Sequence, residues 1–180
     1  CLSCRACTVE CPSNVNMALL KAEVLHARQQ QHGVPAYVRL LSRVDHLGAI
    51  AALAPRLTNL LLAQPRLRRG MESWLGLSAA RPFPRYARQR FDTWFQRRPP
   101  APGTQGEVLL WDDTFVRYNE PQAGQAAVRV LEAAGYTVRL VHGRQCCGRP
   151  AFSLGQLDTA RKMGAHNVAL LAQGTAPILF

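Results

Sequence analysis

Six cysteines in two tight groups carry the chemistry this sequence can do: Cys1, Cys4, Cys7 and Cys11, then Cys146 and Cys147. The first group is spaced C-x-x-C-x-x-C-x-x-x-C-P. Three thiolates at i, i+3 and i+6 in a tight loop converge on one centre, and soft sulfur donors select iron–sulfur clusters, zinc or copper(I) over hard cations. Zinc sites generally use two cysteine pairs, or two cysteines and two histidines, split by a longer spacer. His26 and His32 fall on a helical stretch at unsuitable distance and read as surface residues. An even cysteine count also suits disulfides. The first residues show no basic n-region with an apolar h-region, and without a secretory signal such tight spacing points to metal or redox chemistry in a reducing compartment. The expected location is therefore cytoplasmic.

The run matches the bacterial ferredoxin spacing, in which the fourth cysteine ligates the other cluster of a pair. Cys1, Cys4 and Cys7 then need a fourth ligand, and Cys11 needs three partners. A companion cysteine set is expected upstream of Cys1, with residues 1–35 as half of a two-cluster 4Fe-4S module. The chain opens on Cys1 rather than methionine and stops at Phe180 inside an apolar run, so a fragment of a longer protein is expected. Arg5 and nearby backbone N–H groups would raise the cluster potential.

The second group is Gln145-Cys146-Cys147-Gly148-Arg149-Pro150. Adjacent cysteines are too constrained to form an ordinary disulfide with each other. Gly148 permits a turn that presents both sulfurs outward. This loop follows a strand's carboxyl end, where open α/β sheets place ligands, and Trp111-Asp112-Asp113-Thr114-Phe115 stands at the equivalent end of the preceding strand. The two loops are expected to face one crevice.

The elements that must position these groups follow from periodicity. Residues 12–33 read as a helix capped by Asn14 or Asn16 and ended by Gly33. Residues 37–53 read as a second helix, 57–63 as a third, and 66–98 as short helices broken by Gly70, Gly76, Pro82 and Pro84. Residues 99–106, rich in proline, read as a semi-rigid linker. Beyond it, strands at 107–111, 136–141 and from 177 alternate with a helix opened by Pro121 and a helix over 157–173. Such short links imply a parallel sheet. The expected fold class is α plus α/β: the partial helical cluster module, a helical basic segment over 36–98, then a β-α-β-α-β domain over 107–180, incomplete at its C-terminus.

The 180 residues carry a net charge of +11. Residues 56–98 hold ten arginines against Glu72 and Asp92, and only Lys21 and Lys162 are lysines in the whole chain. That skew suggests coding bias more than selection for phosphate contacts. The aromatic residues Trp74, Phe83, Tyr86, Phe91, Trp94 and Phe95 read as helix packing rather than a base-stacking platform. The longest stretch free of polar side chains and proline, 47–54, has eight residues, too few to span a bilayer.

C-L-S-C-R-A-C-T-V-E-C-P-S-N-V-N-M, W-D-D-T-F-V-R-Y-N-E-P, and C-C-G-R-P with G-Q-L-D-T-A-R nearby resemble the C-terminal iron–sulfur region of bacterial flavin-linked D-2-hydroxyacid dehydrogenases of the D-lactate and D-2-hydroxyglutarate type. The resemblance extends more loosely to iron–sulfur subunits of glycolate oxidase and anaerobic glycerol-3-phosphate dehydrogenase, and to heterodisulfide reductase. It implies a Cys-Cys-Gly domain over 107–180, with Cys146 and Cys147 as ligands of a second cluster or as redox thiols. In the broader group a lone cysteine precedes this motif and a C-x-x-C follows it. Here Asp113-Thr114 stands at the first position, and the second would fall past Phe180. Asp113 is then an oxygen ligand replacing that thiolate, or a solvent-facing loop acid. His142 is a ligand or a plain loop histidine, and Arg149 stabilises thiolates or lies free on the surface.

The resemblance further implies FAD in an upstream domain that takes a hydride from the hydroxyacid. Electrons would pass singly through 4Fe-4S clusters to a quinone or electron carrier, with at most peripheral membrane association and no nucleic-acid partner. No substrate-binding catalytic residue is expected in these 180 positions. Competing readings are a separate electron-transfer subunit without flavin in its chain, a zinc-stabilised basic nucleic-acid-binding protein, and a thiol–disulfide centre at Cys146 and Cys147.

Overall fold

The computed structural model describes residues 6–13, 15–172 and 174–180. Cys1, Cys4, Arg5 and Asn14, named above, and Gln173 at the end of the helix expected over 157–173, lie outside the described residues. Helix α1 (Ala6–Glu10) carries Cys7, and α2 (Met17–His32) follows it. Asn16 caps α2, its side chain accepting the Leu19 N–H at 3.0 Å, which satisfies one of the donors orphaned at a helix start. The helix expected over 37–53 is two: α3 (Ala36–Leu41) and α4 (Val44–Ala51). The break falls at Ser42, whose hydroxyl donates to the Arg39 carbonyl at 3.2 Å, a local bond that competes with the helical ladder.

Helices α5 (Pro55–Ala63) and α6 (Pro65–Leu75) each open on proline, whose missing N–H costs nothing at that position. Helix α7 (Phe91–Arg97) precedes β1 (Glu107–Leu110). Short helix α8 (Thr114–Tyr118) and the longer α9 (Pro121–Ala133) lead to β2 (Thr137–Leu140). Then come α10 (Arg149–Ser153), α11 (Leu157–Leu171) and β3 (Ile178–Leu179). The strands form one parallel sheet in the order β2-β1-β3, with Val108 opposite Val138 and Leu110 opposite Leu140. The fold is thus helical with a small parallel sheet. Helices α8 and α10 lie where loops were expected.

The chain divides into two compact units, Cys1–Val44 with Gln145–Asn167, and Asp45–Arg144 with Val168–Phe180. In the first unit α10 packs on α2 and α3, where Ala22, Val38 and Ala151 are buried. Small side chains let these helices approach closely. In the second unit Phe91 of α7 is fully buried among Val108, Leu110, Val128, Val138 and Leu140. The sheet's alternating pattern puts these valines and leucines on the buried side.

Segment 99–106 is tied into the second unit. The Gly103 N–H donates to Thr137 Oγ1 at 2.8 Å and the Gln105 N–H to the Gly135 carbonyl at 2.9 Å. Several arginines of the basic stretch are also structural. Arg68 is buried, stacked 4.1 Å from the Phe83 ring centre, and donates to the Ser78 carbonyl at 2.6 Å. Arg90 pairs with Asp92, and Arg98 pairs with Glu132 while lying over Phe95. Phe91, Trp94 and Phe95 pack together as expected, whereas Trp74 is 88% exposed. Ile50, Leu53, Leu57 and Leu60 on and between α4 and α5 are exposed too. Among the described residues no single helix is long and apolar enough to cross a membrane, although α4 and α5, bent by 112°, pass such a test together.

Candidate functional site

The described cysteines of both groups fall in the first unit: Cys7 is exposed, Cys11 half-buried, Cys146 buried and Cys147 exposed. The Cys146-Cys147 loop does not turn both sulfur-bearing residues outward. Cys146 is 4% exposed and its neighbour faces solvent. The loop is bonded to α11. Asn167 Oδ1 accepts the Gln145 N–H at 2.9 Å, while its Nδ2 donates to the Cys146 carbonyl at 3.1 Å and, more weakly, to the Gln145 carbonyl at 3.4 Å. Gly148 ends the loop at φ +82°, a left-handed conformation that disfavours any residue with a Cβ, and such a Cβ would lie 3.3 Å from the Ala160 carbonyl oxygen. From Gly148 the chain enters α10 directly, the Phe152 N–H bonding to the Gly148 carbonyl at 2.9 Å.

The turn between α10 and α11 is fastened to α2. His26 Nδ1 lies 3.0 Å from the Gly155 carbonyl oxygen, Gln29 Nε2 donates to the Leu154 carbonyl at 2.8 Å, and Gln156 donates to Gln29 Oε1. His26, expected on the surface, is half-buried. The helix that follows the first cysteine group and the loop that carries the second therefore belong to one packed and hydrogen-bonded body.

In the second unit the carboxyl ends of β1 and β2 are joined by charge. Asp112, 1% exposed, accepts two bonds from Arg117, at 2.6 and 2.8 Å, and one from Arg144 Nε at 3.2 Å. Arg144 also lies 5.7 Å from the Trp111 ring centre. Arg117 is held above the ordinary guanidinium range: burial opposes its charge, and the bonds and attraction of Asp112, with the charge of Asp92, outweigh it. Asp92 is held below the usual carboxylate range: burial opposes this, but its bond to Arg90, the charges of Arg90 and Arg117, and the Thr93 N–H prevail.

The other expected site residues are placed as follows. Asp113 is the cap of α8, its Oδ1 accepting the Phe115 and Val116 N–H groups at 2.6 and 2.8 Å. His142 is exposed in the turn after β2, and Arg149 is exposed at the start of α10. Asp113 and His142 lie in the second unit, Arg149 in the first. Among the described residues no three or more His, Cys, Asp or Glu side chains come together to hold a metal ion. Cys7, Cys11, Cys146 and Cys147 offer soft sulfur donors of the kind that iron–sulfur clusters take.

Sequence reasoning missed Asp112, Arg144 and Asn167. A signal existed for each. Asn167 follows Met163 by four residues on the buried stripe of α11, and a polar side chain there must find partners. Asp112 and Arg144 each stand just beyond an apolar strand.

Comparison with known proteins bears on the same loops. Residues 113–180 match the CCG cysteine-rich domain family. The chain is 30% identical over 131 residues to a subunit of the anaerobic glycerol-3-phosphate dehydrogenase of Escherichia coli K12, covering 72% of this chain and 33% of that protein. It is 31% identical over 62 residues to lactate utilization protein A of Bacillus cytotoxicus, covering 34% of this chain and 26% of that protein. It is 38% identical over 53 residues to a subunit of the fumarate reductase (CoM/CoB) of Methanothermobacter marburgensis, covering 29% of this chain and 11% of that protein. The chain thus spans a third or less of the length of these relatives. No solved structure matches it.

Proposed function

We propose that this chain is the iron–sulfur electron-transfer part of an oxidoreductase and performs no substrate chemistry itself. The observation that carries this reading is the presence of Cys7, Cys11, Cys146 and Cys147 in one compact unit. The CCG match and the similarity to proteins named as dehydrogenase and reductase subunits support it.

Iron–sulfur clusters supply one-electron steps that a flavin or a diffusing carrier can feed and drain. In this reading Cys1, Cys4 and Cys7 ligate one 4Fe-4S cluster and Cys11 its companion. Cys146 and Cys147 ligate a further centre. The protein's own work is to fix sulfur positions and local charge. Asn167 and Gly148 shape the loop of the cysteine pair, and Arg149 opens α10 directly after it in the same unit. In this reading its charge favours the thiolate over the thiol.

The electron source in this proposal is FAD bound in an upstream domain or on a partner subunit, and the sink is a quinone or a carrier. Two arrangements follow. Similarity to a separately named dehydrogenase subunit favours a dedicated electron-transfer polypeptide. The W-D-D-T-F loop, in place of a cysteine-bearing one, favours the flavin-fused D-2-hydroxyacid dehydrogenase type. Iron, acid-labile sulfide and flavin assayed on the full-length protein, purified without oxygen, separate these cases. The proposal expects a brown protein with equal iron and sulfide. Flavin in the same polypeptide means the fused form, and flavin only in a co-purifying polypeptide means the separate one. A colourless protein holding stoichiometric zinc, with DNA affinity that falls steeply with salt, overturns the proposal.

A further inference from the structure

Two adjacent cysteines differ only by position, yet the fold treats them oppositely: Cys146 is buried and Cys147 exposed. We propose that Asn167 is the positioning residue that makes this distinction, locking Cys146 as the inward, anchored sulfur and leaving Cys147 as the outward one that meets solvent, partner or exchangeable ligand. Part of this inference, the ligand role of the pair, rests on the iron–sulfur reading above.

The geometry supports a locking role over simple packing. Asn167 is 7% exposed, so its amide must be satisfied inside the protein. It spends its acceptor and its donor on the backbone of two consecutive residues, Gln145 N–H on one side and the Cys146 carbonyl on the other. A side chain bonded to the Gln145 N–H and to the Cys146 carbonyl restrains the two peptides that flank the Gln145–Cys146 bond, in a loop whose burial alternates from exposed Gln145 to buried Cys146, exposed Cys147 and buried Gly148. Fixing this stretch of backbone therefore fixes which cysteine faces in. Gly148 closes the loop at φ +82° against Ala160, one turn before Met163 on the same helix that presents Asn167. The loop is thus bonded to α11 at one end and lies close against it at the other.

The test compares the full-length protein, purified without oxygen, with Asn167→Asp and Asn167→Ala. Asparagine to aspartate keeps the acceptor for the Gln145 N–H and removes the donor to Cys146, at nearly constant shape; alanine removes both. Hydrogen exchange at the Gln145 amide is expected to quicken in Asn167→Ala by roughly five- to tenfold, the factor expected from one lost hydrogen bond. Asn167→Asp should stay close to the parent at that amide. The ratio of iodoacetamide labelling at Cys147 to that at Cys146 should fall in both variants, and only the redox centre assigned to the cysteine pair should change its midpoint potential. Exchange in α2, remote in sequence, should not move. An unchanged labelling ratio in Asn167→Asp overturns the inference, and that near-isosteric variant decides the matter if the alanine protein does not fold. An Asn167-dependent labelling ratio in a protein without iron at the pair would sink the cluster reading while upholding this one.

Discussion

At the scale of residues, the buried carboxylate of Asp112 shows how much depends on partners that lie far off in sequence. It answers Arg117 five positions on and Arg144 thirty-two positions on. Asp112→Asn removes the negative charge that both guanidiniums share, one of them on Arg144, whose side chain is only 2% exposed. Breaking such a buried pair costs about 3–5 kcal/mol, and urea denaturation of the full-length protein should show it. Arg139→Ala, by contrast, removes an exposed pair with Glu107 and should cost about 0–1 kcal/mol. Asp92 adds a pH test. Because its folded value lies below the ordinary one of about 3.9, its stabilising contribution is present at neutral pH and is lost as pH falls through the folded value. Asp92→Asn should therefore be less stable than the parent at pH 7, with the gap closing in acid. The cysteines were legible in the sequence because their spacing is local. The roles of Asp112 and Asn167 were not, since nothing local tells that the first meets the guanidiniums of Arg117 and Arg144 and the second the backbone of Gln145 and Cys146. Asp113, singled out as the candidate oxygen ligand, sits two residues before the Phe115 N–H that it caps.

At the scale of elements, the long helices and three strands follow from apolar periodicity, and the short helices do not. Helix α8 exists because Asp113 caps it, and α10 because Gly148 releases the chain into it. Neither five-residue segment has enough sequence to show a 3.6-residue pattern. The split between α3 and α4 turns on Ser42, whose side-chain bond is equally silent in the pattern. The join between α2 and the α10–α11 turn offers the sharper test. Gly155 has φ +80°, and a Cβ there would lie 2.6 Å from Leu25 Cβ and 2.9 Å from the His26 backbone nitrogen. Gly155→Ala should cost about 1–2 kcal/mol for the left-handed conformation and about 1–3 kcal/mol more for the overpacking. Thermal denaturation should record the loss, and hydrogen exchange should localise it to α2 and the turn.

At the scale of the whole molecule, the grouping that matters is the one least visible in a linear reading. Residues 145–167 group with the first forty-four residues and not with the segment that bears the sheet, so that the described cysteines of both groups share a unit. Read in order, the sequence suggests a cluster module, a linker and a later domain. The long-range contacts of α10 with α2 and α3 depend on buried alanines and on His26 and Gln29, residues with no pattern of their own. The basic stretch changes meaning as well, because Arg68, Arg90 and Arg98 are engaged with Phe83, Asp92 and Glu132. The most direct test of the account is a redox titration of the full-length protein followed by electron paramagnetic resonance, comparing the parent with Cys11→Ser and Cys147→Ser. The account predicts at least two iron–sulfur signals, with Cys11→Ser altering those of the ferredoxin-type group and Cys147→Ser altering iron content and signal of the other centre alone. If Cys147→Ser leaves iron and every signal unchanged while abolishing disulfide reduction, the pair is a thiol–disulfide centre. If no iron–sulfur signal appears in the parent at any potential, the electron-transfer account is contradicted.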